Sequence, residues 1–253
     1  MSAMPEVATG SLENRNILVT GAFRGIGAAC AQSLAREGAR VACVDIHKPD
    51  DIVSRLADGD RKHLSLACDV SDEISVMSMF RTLDRGFGGI DTLVHCAGVI
   101  HERPLLETTT EDFDRVIGIN LRGSFLVGRE TIRRMQGREG RVILMASDLA
   151  YLGRETLSSY VASKHGVLGL ARCWAAEFAP RILVNAICPG PVDTAMLDIE
   201  HRTPEWRARE LEIPLQRFGR PEEIAEMAVF LAGPRTGFVT GQGFGVNGGS
   251  VMA

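Results

Sequence analysis

Short apolar runs alternate with helical stretches along most of the chain, and this alternation restricts the fold more than any other feature. Runs at 16–20, 40–46, 63–68, 92–97, 141–146, 182–187 and 243–246 are apolar and often β-branched, and they read as strands. Between them, 26–37, 72–87, 111–136, 157–178 and 221–232 carry helical periodicity. Gly38 closes the first helix, Ser71 is the expected N-cap of the second, and Pro221 opens the last. Leu93-Val94 and Val142-Ile-Leu-Met145 are unbroken apolar, as parallel strands covered on both faces are. Repeated strand–helix units imply an α/β fold: a single-domain, Rossmann-type, doubly wound parallel sheet of about seven strands with helices on both faces. The domain is expected over 14–253, after a flexible tail at 1–13. One stretch, 193–219, breaks the rhythm. It is long, charged and weakly periodic, and is expected to be a substrate lid or, failing that, a solvated helix pair.

The glycine pattern places a ligand on this scaffold. The first strand runs into Thr20-Gly21-Ala22-Phe23-Arg24-Gly25-Ile26-Gly27, and a helix follows. Gly21 permits a tight turn, Gly25 lets backbone approach a pyrophosphate, and Gly27 lets the helix pack close to the strand. The helix then points free N–H groups at the phosphates. Asp45 ends the second strand, 18 residues after Gly27. A carboxylate there accepts hydrogen bonds from both ribose hydroxyls and repels a 2′-phosphate, which favours NAD over NADP. Arg24 is the opposing signal, because a guanidinium in the turn pairs with a 2′-phosphate. Asp69, after the third strand, is placed to meet the adenine edge or to cap its loop.

A second constellation supplies proton chemistry. Tyr160 and Lys164 lie four apart on one helical face. A phenol titrates near ~10, and a nearby ammonium stabilises its anion. Ser147 follows the fifth strand directly, at the carboxyl end where the crevice of such a sheet opens. Asn120 interrupts the long helix, where asparagine is a mediocre helix former.

Composition excludes other classes. The 28 basic and 32 acidic side chains leave a net charge of −4, which argues against a nucleic-acid partner. The six cysteines form no CxxC pair and mostly sit in apolar stretches, as buried thiols of a reducing, cytoplasmic setting do. The six histidines have no metal-ligand spacing, so no metal is expected. The N-terminus lacks the apolar core of a signal peptide, and the uncharged run at 236–253 holds six glycines, so no membrane helix is expected.

Together these motifs resemble the short-chain dehydrogenase/reductase family in its ~250-residue form. The match runs through Thr20-Gly21-x3-Gly25-Ile26-Gly27, Asp69, Ala97-Gly98, Asn120, Ser147, Tyr160-x3-Lys164, Pro189-Gly190 and Thr194. It continues through Arg217-Phe-Gly-Arg-Pro-Glu-Glu-Ile224 and Thr240-Gly241-Gln242, covering about 14–250. The resemblance implies an NAD(P)-dependent enzyme acting on CH–OH groups. Tyr160 would be the acid–base and Lys164 would hold the nicotinamide ribose. Ser147 would orient the substrate oxygen, and Asn120 would hold a water in a proton relay. Ile46, Val70, Ala97, Gly98, Pro189, Gly190, Val192 and Thr194 would complete the cofactor site, the last two at the carboxamide.

The resemblance further implies a homotetramer and a small alcohol or ketone substrate. Asp148, Arg154 and His101 hint at a polyol, sugar or hydroxy acid. The competing assignment is an NADPH-dependent 3-oxoacyl-thioester reductase. The sequence departs from the family at His95-Cys96, where asparagines are usual, and at Asp148, where a small residue is commoner.

Overall fold

The computed structural model describes residues 11–56 and 62–252. The strands are β1 (Asn16–Thr20), β2 (Arg40–Asp45), β3 (Leu64–Ala67), β4 (Thr92–His95), β5 (Gly140–Met145), β6 (Ile182–Pro189) and β7 (Gly243–Val246). The helices between them are α1 (Gly25–Arg36), α2 (Asp50–Val53), α3 (Glu73–Phe87), α4 (Thr110–Ile117), α5 (Gly123–Met135), α6 (Ser158–Phe178), α7 (Pro204–Glu210) and α8 (Pro221–Ala232). All seven strands lie parallel in one sheet, in the order β3-β2-β1-β4-β5-β6-β7. The chain crosses over between β3 and β4, so the order reverses beside β1, and a crevice opens beyond the carboxyl ends of β1 and β4.

Why the strands read as unbroken apolar runs is visible in the packing. Ile17 and Val19 of β1 face one core with Leu34 and Ile224, whereas Leu18 faces the other with Phe80 and Leu126. β5 does the same, Val142 and Leu144 against α6, Ile143 and Met145 on the opposite side. Side chains alternate with period 2, but each face meets a helical layer, so neither is polar.

The structure departs from the sequence reading in particular places. The expected helix at 111–136 is two helices joined by a five-residue π-helical turn, Gly118–Arg122. Asn120 lies within it and is 1% exposed. Its amide pairs with Val99 in both directions, accepting from the N–H at 2.8 Å and donating to the C=O at 2.9 Å. A buried amide needs such partners, and the wider turn accommodates it. Asp72, not Ser71, caps α3, accepting from the N–H groups of Ile74 and Ser75. Ser71 instead donates its hydroxyl to Asp69 at 2.6 Å. Of the expected tail, 1–10 lie outside the described residues, but Leu12 is fully buried and bonded to Glu37, so order begins before Glu13. Cys173 is exposed, unlike the buried Cys30, Cys43, Cys68 and Cys188.

The 193–219 segment forms a short 3-10 turn, Ile199–His201, and then α7. Three arginine–glutamate pairs hold it: Arg202 with Glu102 at 2.8 Å, Arg209 with Glu155 at 2.6 Å, and Arg154 with Glu210. Among the described residues, no helix is long and apolar enough to cross a membrane.

Candidate active site

The glycine turn is sterically specified. Gly21 has φ +68°, and a Cβ there would stand 2.7 Å from the Ala97 nitrogen. A Cβ on Gly27 would fall 2.0 Å from the Gly21 oxygen, so α1 can approach β1 this closely only with glycine. No side chain caps the N-terminus of α1, leaving its first N–H groups for an anion.

A cleft of about 510 Å3 runs from this turn across the carboxyl ends of the strands. Gly21, Arg24, Gly25, Ile26 and Gly27 form one end, with Asp45 and Ile46 beside them. Asp69, Val70, Ala97 and Gly98 line the floor. Ser147, Tyr160 and Lys164 face Pro189, Gly190, Val192 and Thr194 at the other end. Asp45 is half-buried, its oxygens accepting from Phe23 N at 3.0 Å and Ile46 N at 2.7 Å, which ties the carboxylate to the phosphate turn.

Asn120 stands behind this wall. A Cβ on Gly98 would meet its Oδ1 at 3.2 Å and the Lys164 Nζ at 3.6 Å, so the two side chains flank Gly98 from within. Lys164 donates to the Met145 carbonyl at 2.8 Å, and its ammonium lies 5.6 Å from the Tyr160 ring centroid. Burial pulls the Lys164 pKa down to about 8, with Cys96 and Cys188 opposing. Burial likewise pushes the Tyr160 phenol up to about 12, the Ser147 hydrogen bond lowering it in part and Asp148 raising it further. Lys164 was expected to lower this phenol; it is not among the groups that shift it, desolvation dominates, and the net shift from these side chains is upward. His95, the neighbour that replaces a family asparagine, is 2% exposed and bonded to Thr20 at 2.8 Å. Burial, and then Lys164, hold its pKa near about 3, so it is neutral.

The three nominated substrate residues are not brought to the cleft wall. Asp148 is bonded within its own loop and to Ser250, Arg154 is paired with Glu210, and His101 lies 3.6 Å from Asp112. Asp148 and Arg154 thus already have partners from elsewhere in the chain, whereas the His101 Nε2 is buried without a hydrogen-bond partner among the described residues. The wall contributed instead by Val99, Ile100, Ala195, Met196 and Leu197 is apolar. Arg115 and Ile119 also line the cleft and were not anticipated, although they lie four apart on one helical face beside Asn120.

Comparison with known proteins decides the family. A family model described as enoyl-(acyl carrier protein) reductase matches residues 21–251. The chain belongs to the short-chain dehydrogenase/reductase family. It is 37% identical over 248 residues to the 3-oxoacyl-(acyl-carrier-protein) reductase of Thermotoga maritima, covering 95% of this chain and 99% of that one. It is 38% identical over 242 residues to the D-threitol dehydrogenase of Mycolicibacterium smegmatis, covering 94% and 93%. A candidate 2-deoxy-D-gluconate 3-dehydrogenase of Agrobacterium tumefaciens, solved with NADP bound, superposes with a TM-score of 0.88 at 35% identity, covering 95% and 97%. As a short-chain dehydrogenase/reductase, the protein is an NAD(P)-dependent oxidoreductase acting on CH–OH groups.

Proposed function

We propose that the enzyme interconverts a secondary alcohol and a ketone, with NAD as its hydride carrier. The observation that carries this reading is that Ser147, Tyr160 and Lys164 share one cleft with the phosphate turn and Asp45. The residues fit a dinucleotide: the turn has no side chain that would fill it, the α1 N-terminus is uncapped, and a carboxylate stands beside it. The nicotinamide, when bound, accepts or donates the hydride. Asp45 and Ile46 would hold the adenosine ribose, and Asp69 and Val70 the adenine. Lys164 would hold the nicotinamide ribose, and Val192 N–H and Thr194 the carboxamide, beside Pro189 and Gly190. Asp45 supports NAD, while the exposed Arg24 is the only counterweight in the turn.

Tyr160 does the proton work. In reduction its hydroxyl protonates the substrate oxygen, and in oxidation its phenolate oxygen takes that proton back. Ser147 steadies the oxygen. Lys164, with Asn120 behind it, passes the proton away from the phenol. The 193–219 segment acts as the lid, held by its three arginine–glutamate pairs. Because Asp148 and Arg154 are engaged elsewhere and the added wall is apolar apart from Arg115, a ketone or alcohol with an apolar flank is favoured over a polyol or sugar. The same wall supports the second reading, a 3-oxoacyl-thioester reductase, against which Asp45 weighs if NADPH is required. Phe113 and Phe125, each 41% exposed, and the fully exposed Phe238 support the homotetramer.

The test is Tyr160→Phe. It is expected to abolish turnover while NADH affinity in calorimetric titration changes less than about threefold. Retention of more than a few per cent of activity, or failure of the parent protein to bind either dinucleotide, overturns the assignment.

A further inference from the structure

Three cations line the cleft: Arg24, Lys164 and Arg115. Lys164 is turned to the Met145 carbonyl, and Arg24 belongs to the phosphate turn. Arg115, exposed on α4, has no task in the reaction above. The other arginines of α4, α5 and the turn between them are all engaged: Arg122 with the Ser71 carbonyl, Arg129 with Glu73, and Arg133 and Arg134 with Glu130. Arg115 has no side-chain hydrogen bond or ion pair among the described residues. Opposite charges stand at helical spacing, Glu111 four before it and Asp112 three before it. Asp112 is instead bonded to Thr109 at 3.0 Å and faces His101 at 3.6 Å, and Glu111 is exposed. The acids of the cleft are also taken, Asp45 by the N–H groups of Phe23 and Ile46, and Asp69 by Ser71. The guanidinium therefore meets the cleft with its five donors free.

Where along the cleft it stands follows from its helix. Arg115, Ile119 and Gly123 recur every four residues and share one face. At the far end of that face a Cβ on Gly123 would come within 2.9 Å of Val70, on the floor assigned to adenine. Val99 is held against the same stretch by Asn120. Leu34 of α1 packs on one side of the sheet and Leu126 of α5 on the other, so Arg115 and the phosphate turn reach the cleft from opposite banks. A dinucleotide with its adenosine at Asp45 and Asp69 and its nicotinamide at Tyr160 carries its pyrophosphate between them. The uncapped α1 N-terminus meets that group from one bank with about half an elementary charge. Each phosphate carries a full negative charge, so most of it remains to be matched from the other bank. A guanidinium suits this task, being permanently charged and able to donate two parallel hydrogen bonds to one phosphate.

We propose that Arg115 binds the pyrophosphate of the dinucleotide from the bank opposite the glycine turn, as a cation that serves both cofactor forms. The inference rests on the cleft being the dinucleotide site, as proposed above. It is separate from the choice between NAD and NADP, since the two share the pyrophosphate and differ at the ribose beside Asp45.

Calorimetric titration of Arg115→Ala with NADH and NADPH tests this without turnover. Both affinities are expected to fall by the same factor, about 5–20-fold for one charge-assisted pair lost at an exposed site. Arg115→Lys keeps the charge but loses the paired geometry, and should recover part of the loss. ADP-ribose, which carries the pyrophosphate, should weaken as NADH does, whereas adenosine, which has no phosphate, should bind parent and variant alike. Unchanged affinity for both dinucleotides overturns the proposal and leaves the cofactor reading standing. A loss confined to NADPH overturns it too, because the arginine then answers to the 2′-phosphate. So does an equal loss for adenosine, because the arginine then acts on the base or the ribose. A parent protein that binds neither dinucleotide refutes the cofactor reading itself, and this inference with it.

Discussion

Asp45→Asn removes one negative charge from the end of β2 with little change of shape, and it should move the enzyme's choice between dinucleotides. The carboxylate is half-buried and fixed by Phe23 N at 3.0 Å and Ile46 N at 2.7 Å, so it cannot swing away from a ligand at the turn. A 2′-phosphate seated there would bring almost two negative charges. Unit charges 4 Å apart repel by about 1 kcal/mol in bulk water and about 4 kcal/mol at an effective dielectric of 20. A half-buried site lies toward the screened end, so the total for a phosphate is about 2–4 kcal/mol, part of which Arg24 offsets. Removing the charge should therefore tighten NADPH about 10–100-fold, at about 1.4 kcal/mol per factor of ten. NADH should weaken about 5–10-fold, because hydrogen bonds to the ribose hydroxyls lose an ionised acceptor worth about 1 kcal/mol more than a neutral one. Paired calorimetric titrations of the parent and the variant with NADH and NADPH measure the ratio of affinities, which should shift by about two orders of magnitude. Arg24→Ala provides the opposite sign, weakening NADPH and sparing NADH. A ratio that stays within about threefold in Asp45→Asn, or a parent that already prefers NADPH, refutes the role given to Asp45.

Two further outcomes follow from buried or paired groups outside the cleft wall. His95 is held neutral with a pKa near about 3, so below the ordinary imidazole value the unfolded chain takes up a proton that the folded chain refuses. The stability present above pH 6.5 should then fall as the pH drops toward 3, by up to about 1.4 kcal/mol per unit, and the urea midpoint at pH 5 should decline less in His95→Asn than in the parent; equal declines exclude His95 as the source. Arg154→Ala should leave Glu210, whose side chain is 10% exposed, without its partner. Limited proteolysis within 193–219 should quicken, with KM raised several-fold and kcat little changed, and an unaltered digestion rate would exclude the pair as a fastening of that segment.

What could be read from the sequence divides along a physical line. The strand–helix order was legible because each strand's pattern depends on its own residues: Ile17, Leu18 and Val19 are all apolar since both faces of β1 are covered. The phosphate turn was legible for a similar reason. Gly21 and Gly27 answer to contacts within a few residues or to the adjoining strand, and no other residue type fits. Asn120 was visible as an unusual helix residue. Its π-helical turn was not, because the turn follows from a pairing with Val99 across the fold.

The partners of the substrate candidates lay out of range of any local pattern. Arg154 meets Glu210 at a separation of 56 residues, and Asp148 meets Ser250 at 102, and no local pattern specifies which distant side chain will take up a charge. The same limit bears on the chemistry itself. A tyrosine and a lysine four apart on a helix suggest an ammonium that lowers a phenol, and in isolation that inference is sound. Burial is a property of the whole fold, and here it reverses the outcome: it raises the phenol to about 12 and lowers the lysine to about 8. The spacing of Tyr160 and Lys164 is thus written locally, whereas the direction in which their proton affinities are shifted depends on how the whole fold surrounds them.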